Sequence, residues 1–211
     1  MKKILVAILA LSFLAVPAMN AQSRQLKKAQ KKEYKMKLKE YKKGGWIVFG
    51  TSHTLEVALL THYEKLRQDG ISELVVTTTS TNKNIAKEKL QMNASTKYAQ
   101  QSGSYIKGRI VEDLGSKLTE SEIAEFETFY AAYENLVASE IKGELVNTFC
   151  VCRKVKQGKL DAVEYEAYYI VDMVAASRAR IRAFELAAQE SAAAQRYAKQ
   201  VSEFIKEGFE E

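Results

Sequence analysis

Proline is nearly missing from this sequence: a single residue, Pro17, in 211. Without rigid breaks, a loop-rich or many-turned all-β fold is disfavoured, and helices with longer strands are expected. Histidine and cysteine are almost as scarce, at two each. His53 and His62 stand nine positions apart, about 180° around a helix at ~100° per residue, so they cannot chelate a metal together if both are helical. The two thiols, Cys150 and Cys152 in FCVC, do not form the Cys-x-x-Cys helix start that lowers a thiol pKa in oxidoreductases. Glycine-rich phosphate cradles, Walker-type loops and zinc-ligand spacings are also absent. Beyond the first segment no apolar run is long enough to cross a membrane.

What is present begins with MKKILVAILALSFLAVPAMNAQS. A positive start at Lys2 and Lys3, an apolar stretch over residues 4–16 and a small-residue exit read as a signal peptide over residues 1–21, cleaved after Ala21 or Ala18. The apolar stretch is too short to span a ~30 Å hydrocarbon core. No cysteine lies near the exit for lipid attachment. The expected location is therefore exported, in the periplasm or at the outer-membrane periphery, with no transmembrane segment in the mature chain.

Residues 22–45, QSRQLKKAQKKEYKMKLKEYKKGG, carry a net charge of +8, whereas the remainder from Trp46 onward sums to −4. The arm is helical or flexible, and Lys27, Lys28, Lys31, Lys32, Lys35, Lys39, Lys42 and Lys43 are its candidate anion-binding residues. In an exported protein nucleic acid is not the expected partner. Lipid head groups, surface polysaccharides and cell-wall polymers are the available polyanions. The competing reading is a solvated or self-packing helix with a narrow stripe of Leu26, Gln30, Tyr34, Leu38 and Tyr41. A basic arm can also fold back on an acidic domain or on a second copy.

Gly44 and Gly45 close the arm, and residues 46–211 are expected to form one α+β domain. Residues 46–49 read as a strand, and Thr51, Ser52 or Thr54 caps the helix carrying Leu55, Leu59, His62 and Leu66 up to Gly70. Residues 71–79 form a β-branched strand, and a polar helix runs from about Asn84 to Gln101. In LTESEI, Thr119 and Glu122 make a capping box, with Leu118 and Ile123 as its staple, opening a helix that buries Phe126, Tyr130, Tyr133 and Val137. The period then changes from 3.6 to 2. Residues 145–155 and 163–174 alternate as a hairpin turning at Gly158. A long Ala-rich helix from Ala175 to about Lys206 exposes Ala175, Ala179, Ala183 and Ala187 to a close neighbour, with Ile181, Phe184, Val201 and Phe204 adding bulk. Its distal half is expected to project or to pair with a second copy as a homodimer. The fold class is α+β, a small and mainly antiparallel sheet packed by several helices.

The order SGSYIKGRIVE, NLVASEIKGELV, then a strand pair closing on YEAYYIVDM resembles the bacterial envelope family typified by the twenty-kilodalton membrane-associated lipoprotein antigen. The resemblance covers about residues 80–175, through Ser139, Ile141, Gly143, Tyr165, Tyr168 and Tyr169. It implies an α+β envelope protein, often surface or periplasm associated, with no assigned catalytic residues. The lipidated cysteine of that family is missing here.

The remaining chemistry is thin. Cys150 and Cys152 share one strand face, at the outer limit of disulfide reach, and read as packed thiols or as a redox or metal pair. His62 reads as a satisfied boundary residue, and His53 as part of a cap, with no acidic orienter at recognisable spacing. Glu164, Glu166 and Asp172 share a strand face, either solvated or able to do acid–base work if enclosed. Arg178, Arg180 and Arg182 do not share a helix face. No catalytic residue, metal site or cofactor is assigned. The expectation is a non-enzymatic envelope protein acting through surface interactions, with anionic envelope components as possible partners.

Overall fold

The computed structural model describes residues 28–158 and 160–209. The signal segment, Leu26 and Lys27 lie outside that range. The chain divides into two units, Met1–Gly44 and Gly45–Glu211. In the first unit, residues 28–43 form a helix, α1.

The second unit is an α+β domain built on a four-stranded antiparallel sheet, with six α-helices among its described residues. The strands are β1 (Ile47–Phe49), β2 (Ile71–Ser80), β3 (Val146–Gln157) and β4 (Leu160–Asp172), in the order β1-β3-β4-β2. The helices are α2 (Leu55–Lys65), α3 (Lys83–Leu114), α4 (Glu120–Ile141), α5 (Met173–Ala187), α6 (Ala192–Arg196) and α7 (Ala198–Glu207). The β3–β4 hairpin turns at Gly158, whose φ of +64° is the left-handed conformation that glycine adopts without steric cost.

Alternation in the strands assigns two faces. Leu74, Val76, Cys150, Cys152, Tyr165, Ala167, Tyr169 and Val171 face the main core, built with α3, α4 and α5. The opposite face carries Phe149 and Tyr168, packed against His62 of α2. At the β2 edge, the carbonyls of Val75 and Thr77 are taken by Lys97 and Asn93 of α3 at 2.9 and 3.1 Å. That coverage protects the edge from pairing with another strand.

The polar helix expected to stop near Gln101 continues to Leu114, 32 residues in all. Its buried residues recur every fourth position from Ala86 through Leu90, Ala94, Tyr98, Ser102, Ile106 and Ile110 to Leu114. At ~100° per residue, a four-residue step advances the buried stripe by about 40° each time, so it winds around α3. Gly103, which suggests a break in isolation, is instead a close-approach site. A Cβ there would meet Oε1 of Glu134 on α4 at 2.2 Å. Beside it, the Ser102 and Tyr133 hydroxyls hydrogen-bond at 2.9 Å in the core.

α4 begins with the expected capping box. Glu122 N–H donates to Oγ1 of Thr119, and Thr119 N–H donates to Oε2 of Glu122. Phe126, Phe129, Tyr130, Tyr133, Val137 and Ile141 form its buried face. Ile123, the expected staple partner, stays exposed.

The Ala-rich C-terminal region is helical, but in three segments instead of one. A 3₁₀ turn at Ala188–Glu190 ends α5, and extended Ser191 caps α6 by accepting from Ala194 N–H at 3.1 Å. The Gln195 amide donates to the carbonyls of Ala188 and Gln189 at 3.0 and 3.1 Å, and Ala193 N–H donates to Glu125 at 2.7 Å. These bonds satisfy groups that a continuous helix would pair internally. The bend returns Val201, Phe204 and Ile205 to the core. The distal half therefore folds back on the core and does not project.

Candidate functional site

Helix α1 is the most highly charged element. At ~100° per residue, Lys28, Lys31, Lys32, Lys35, Lys39, Lys42 and Lys43 fall within an arc of about 120°, and all seven are exposed. Glu33 and Glu40 lie outside that arc. So does Lys37, which pairs with Glu40 at 3.6 Å and sits 4.8 Å from the Tyr41 ring centre. The expected lysines, other than the undescribed Lys27, are therefore gathered on one surface. The stems of Lys28, Lys31, Lys32, Lys35 and Lys39 surround Met36 in a shallow apolar groove. Apolar stems under charged heads suit contact with a surface that is apolar just below an anionic layer.

A second constellation lies under α2. His62, 1% exposed, is enclosed by Tyr63, Phe149 and Tyr168. Its Nε2 is 2.5 Å from Oε1 of Glu73 and its Nδ1 is 2.8 Å from Oγ1 of Thr148. The β3–β4 register shifts between Asn147 and Phe149, leaving Thr148 as the extra residue of a bulge. Such a bulge re-aims a side chain. Thr148 Oγ1 donates to the Tyr168 carbonyl at 3.1 Å, which the Asn147 amide also reaches at 3.1 Å. An acidic orienter for His62 therefore exists, contrary to the expectation from spacing, because β2 and the bulge bring in residues 11 and 86 positions away. A hydroxyl–imidazole–carboxylate string resembles a catalytic relay only in composition. The imidazole is sealed between rings, and the hydroxyl already donates to a carbonyl. The string pins α2 to the sheet.

A third feature is a cavity of about 350 Å³ at the β1 end of the main-core face. Phe49, Leu90, Leu145 and Ala167 supply apolar wall, while Lys87, Gln91, Asn147, Cys150 and Tyr169 supply polar atoms. Cys150 and Cys152 are free, buried thiols on that face. Burial, aided by the neighbouring Cys152, pushes the Cys150 thiol up to about 12, and burial raises that of Cys152. Thiols held protonated are poor nucleophiles, which fits the packed-thiol reading.

The other sequence candidates disperse. Glu164 pairs with Arg153 at 2.7 Å, Glu166 accepts from the Tyr168 hydroxyl at 2.7 Å, and Asp172 caps α5. His53 is exposed, with its N–H donating to Thr51 Oγ1 at 3.2 Å. Of the three arginines, Arg182 pairs with Glu140 at 2.6 Å. Arg180 is 2% exposed and ties α5 to Tyr98 of α3 and to the Ile205 carbonyl of α7. Arg180 shares the buried helix face of Ala176 and Ala183, the one periodicity signal that could have marked it as buried. Among the described residues, no group of three or more His, Cys, Asp or Glu is placed to hold a metal ion, and no helix is long and apolar enough to cross a membrane. Compared with family models, curated proteins and solved structures, the chain matches none of them.

Proposed function

We propose that this chain is a non-enzymatic, exported protein of the bacterial cell envelope that attaches to anionic envelope polymers or lipid head groups through α1. The observation that carries this reading is the arc of seven exposed lysines on one side of that helix. A row of mobile ammonium groups over ~24 Å of helix, at 1.5 Å per residue, matches closely spaced phosphates or carboxylates. The attraction is screened within about 8–10 Å at physiological salt. Export rests on the signal-like residues 1–21, and the envelope assignment on the resemblance to the lipoprotein antigen family. With no lipidated cysteine, the basic helix takes the place of the lipid as a weaker, salt-sensitive tether. The domain's paired carboxylates, sealed histidine and protonated thiols support a non-enzymatic reading.

The test is envelope fractionation of the full-length protein and of a variant carrying Gln at Lys31, Lys32, Lys35 and Lys39, each washed with increasing salt. The expected result is that the intact protein leaves the envelope pellet as salt rises while the variant is soluble throughout. Equal distribution of the two, with salt having no effect, overturns the tether.

A further inference from the structure

The cavity at the β1 end of the main-core face differs in chemistry from the His62 pin on the opposite face. Its volume, about 350 Å³, is at the small end of the range for ligand pockets. It corresponds to roughly a dozen waters at ~30 Å³ each.

Two polar side chains at this cavity can reach a guest: the wall residue Tyr169 and the exposed Lys87. Tyr169, 6% exposed, is a wall residue whose hydroxyl makes no hydrogen bond among the described residues. Its hydroxyl is therefore free to donate to a molecule in the cavity. Lys87, one turn into α3, forms no ion pair among the described residues; its ammonium stands 5.7 Å from the Phe49 ring centre. The two converge. Both line the same cavity, Lys87 from α3 and Tyr169 from β4. Around this polar corner the walls are Leu90, Leu145 and Ala167, apolar and fixed in the core layer.

One cation, one unengaged hydroxyl donor and apolar walls define a complementary molecule: a single negative charge at one end and a short hydrocarbon body at the other. A dianion lacks a second cation here, and a fully apolar guest leaves Tyr169 unsatisfied. We propose that this cavity binds a small amphipathic monocarboxylate, its carboxylate held by Lys87 and Tyr169 and its hydrocarbon body against Leu90, Leu145 and Ala167. The site belongs to the folded domain alone and does not depend on the tether proposed for α1.

The experiment uses octanoate as the probe, titrated into the full chain and followed by heteronuclear NMR, with octanol as the uncharged control. Octanoate is expected to give saturable shifts at Leu90, Cys150, Ala167 and Tyr169. Lys87→Met is expected to weaken octanoate binding by about tenfold or more, because it removes a charge-assisted contact. Tyr169→Phe, which deletes only the hydroxyl, is expected to weaken it by about three- to tenfold. Octanol should bind wild type and Lys87→Met equally. Thermal melting of each variant checks that the fold is retained, and Ala167→Leu, which fills the cavity, should abolish saturable binding if folded. The proposal is overturned if octanoate shifts are confined to the lysines of α1, if they do not saturate, or if Lys87→Met binds octanoate as tightly as wild type.

Discussion

The two faces of the sheet are covered in different ways. On the main-core face, α3, α4 and α5 supply a continuous apolar layer in which Phe126, Phe129, Tyr133 and Val137 are each 1% exposed or less. On the other, α2 has only 11 residues. Beside a small apolar face of Leu55, Ala58 and Leu59, it is fastened by one histidine between three aromatic rings, with a carboxylate at one ring nitrogen and a bulge threonine at the other. Where apolar area is ample, packing suffices to fix an arrangement. Where a short helix offers little, directional polar bonds set its position, and their strength depends on burial.

The largest effect should come from opening the main core. Phe126→Ala removes a ring that packs with Phe129 and Tyr130 at centroid distances of 6.1 and 6.0 Å. It is expected to cost about 3–5 kcal/mol, read as a lowered urea midpoint for the domain as a whole. The outer face should respond more locally. His62→Leu keeps apolar volume, while Glu73 can turn to water and Thr148 keeps its bond to the Tyr168 carbonyl. A cost of about 1–2 kcal/mol is expected, with faster amide exchange in α2 and unchanged exchange in β4. An equal loss of protection in both elements contradicts the division between faces.

A matched glycine pair sharpens the picture of the main-core side. A Cβ at Gly103 strikes Glu134, whereas one at Gly108 meets nothing within 4 Å. Gly108→Ala should therefore stabilise by up to about 1 kcal/mol through helix propensity. Gly103→Ala should lose that gain and be net destabilising by about 1 kcal/mol, since overpacking costs about 1–3 kcal/mol. Thermal melting separates the two signs.

The smallest effect concerns the start of α4. The backbone N–H and hydroxyl of Thr119, followed by Arg196, hold the Glu122 carboxyl below its usual range. A depressed folded-state pKa gives stability that is fully present above the unfolded carboxylate value, about 4.3, and is lost as pH falls through the folded value. The stability gap between wild type and Glu122→Gln should therefore narrow below about pH 4. Thr119→Ala, which removes the cap hydroxyl, is expected to cost about 1 kcal/mol at neutral pH.

Much of this molecule is decided by local patterns. The capping box at Thr119 and Glu122, the hairpin at Gly158, the strand over residues 71–80 and the lysine arc on α1 follow from spacing, turn chemistry and charge within a few residues. The length of α3, the break at Ser191 and the His62 string do not, because each depends on a partner distant in sequence. Gly103 is tolerated within a helix where α4 comes close, Ser191 ends a helix so that α7 can return to the core, and Glu73 and Thr148 reach His62 only after β2, β3 and β4 have paired. The cavity belongs to the same class: Phe49, Lys87, Cys150 and Tyr169 come from four elements, and only their assembly leaves a hydroxyl and an ammonium facing one space. Local sequence thus determined the elements and their charge, while tertiary packing decided where helices end and which polar groups meet, because these depend on distant surfaces buried together.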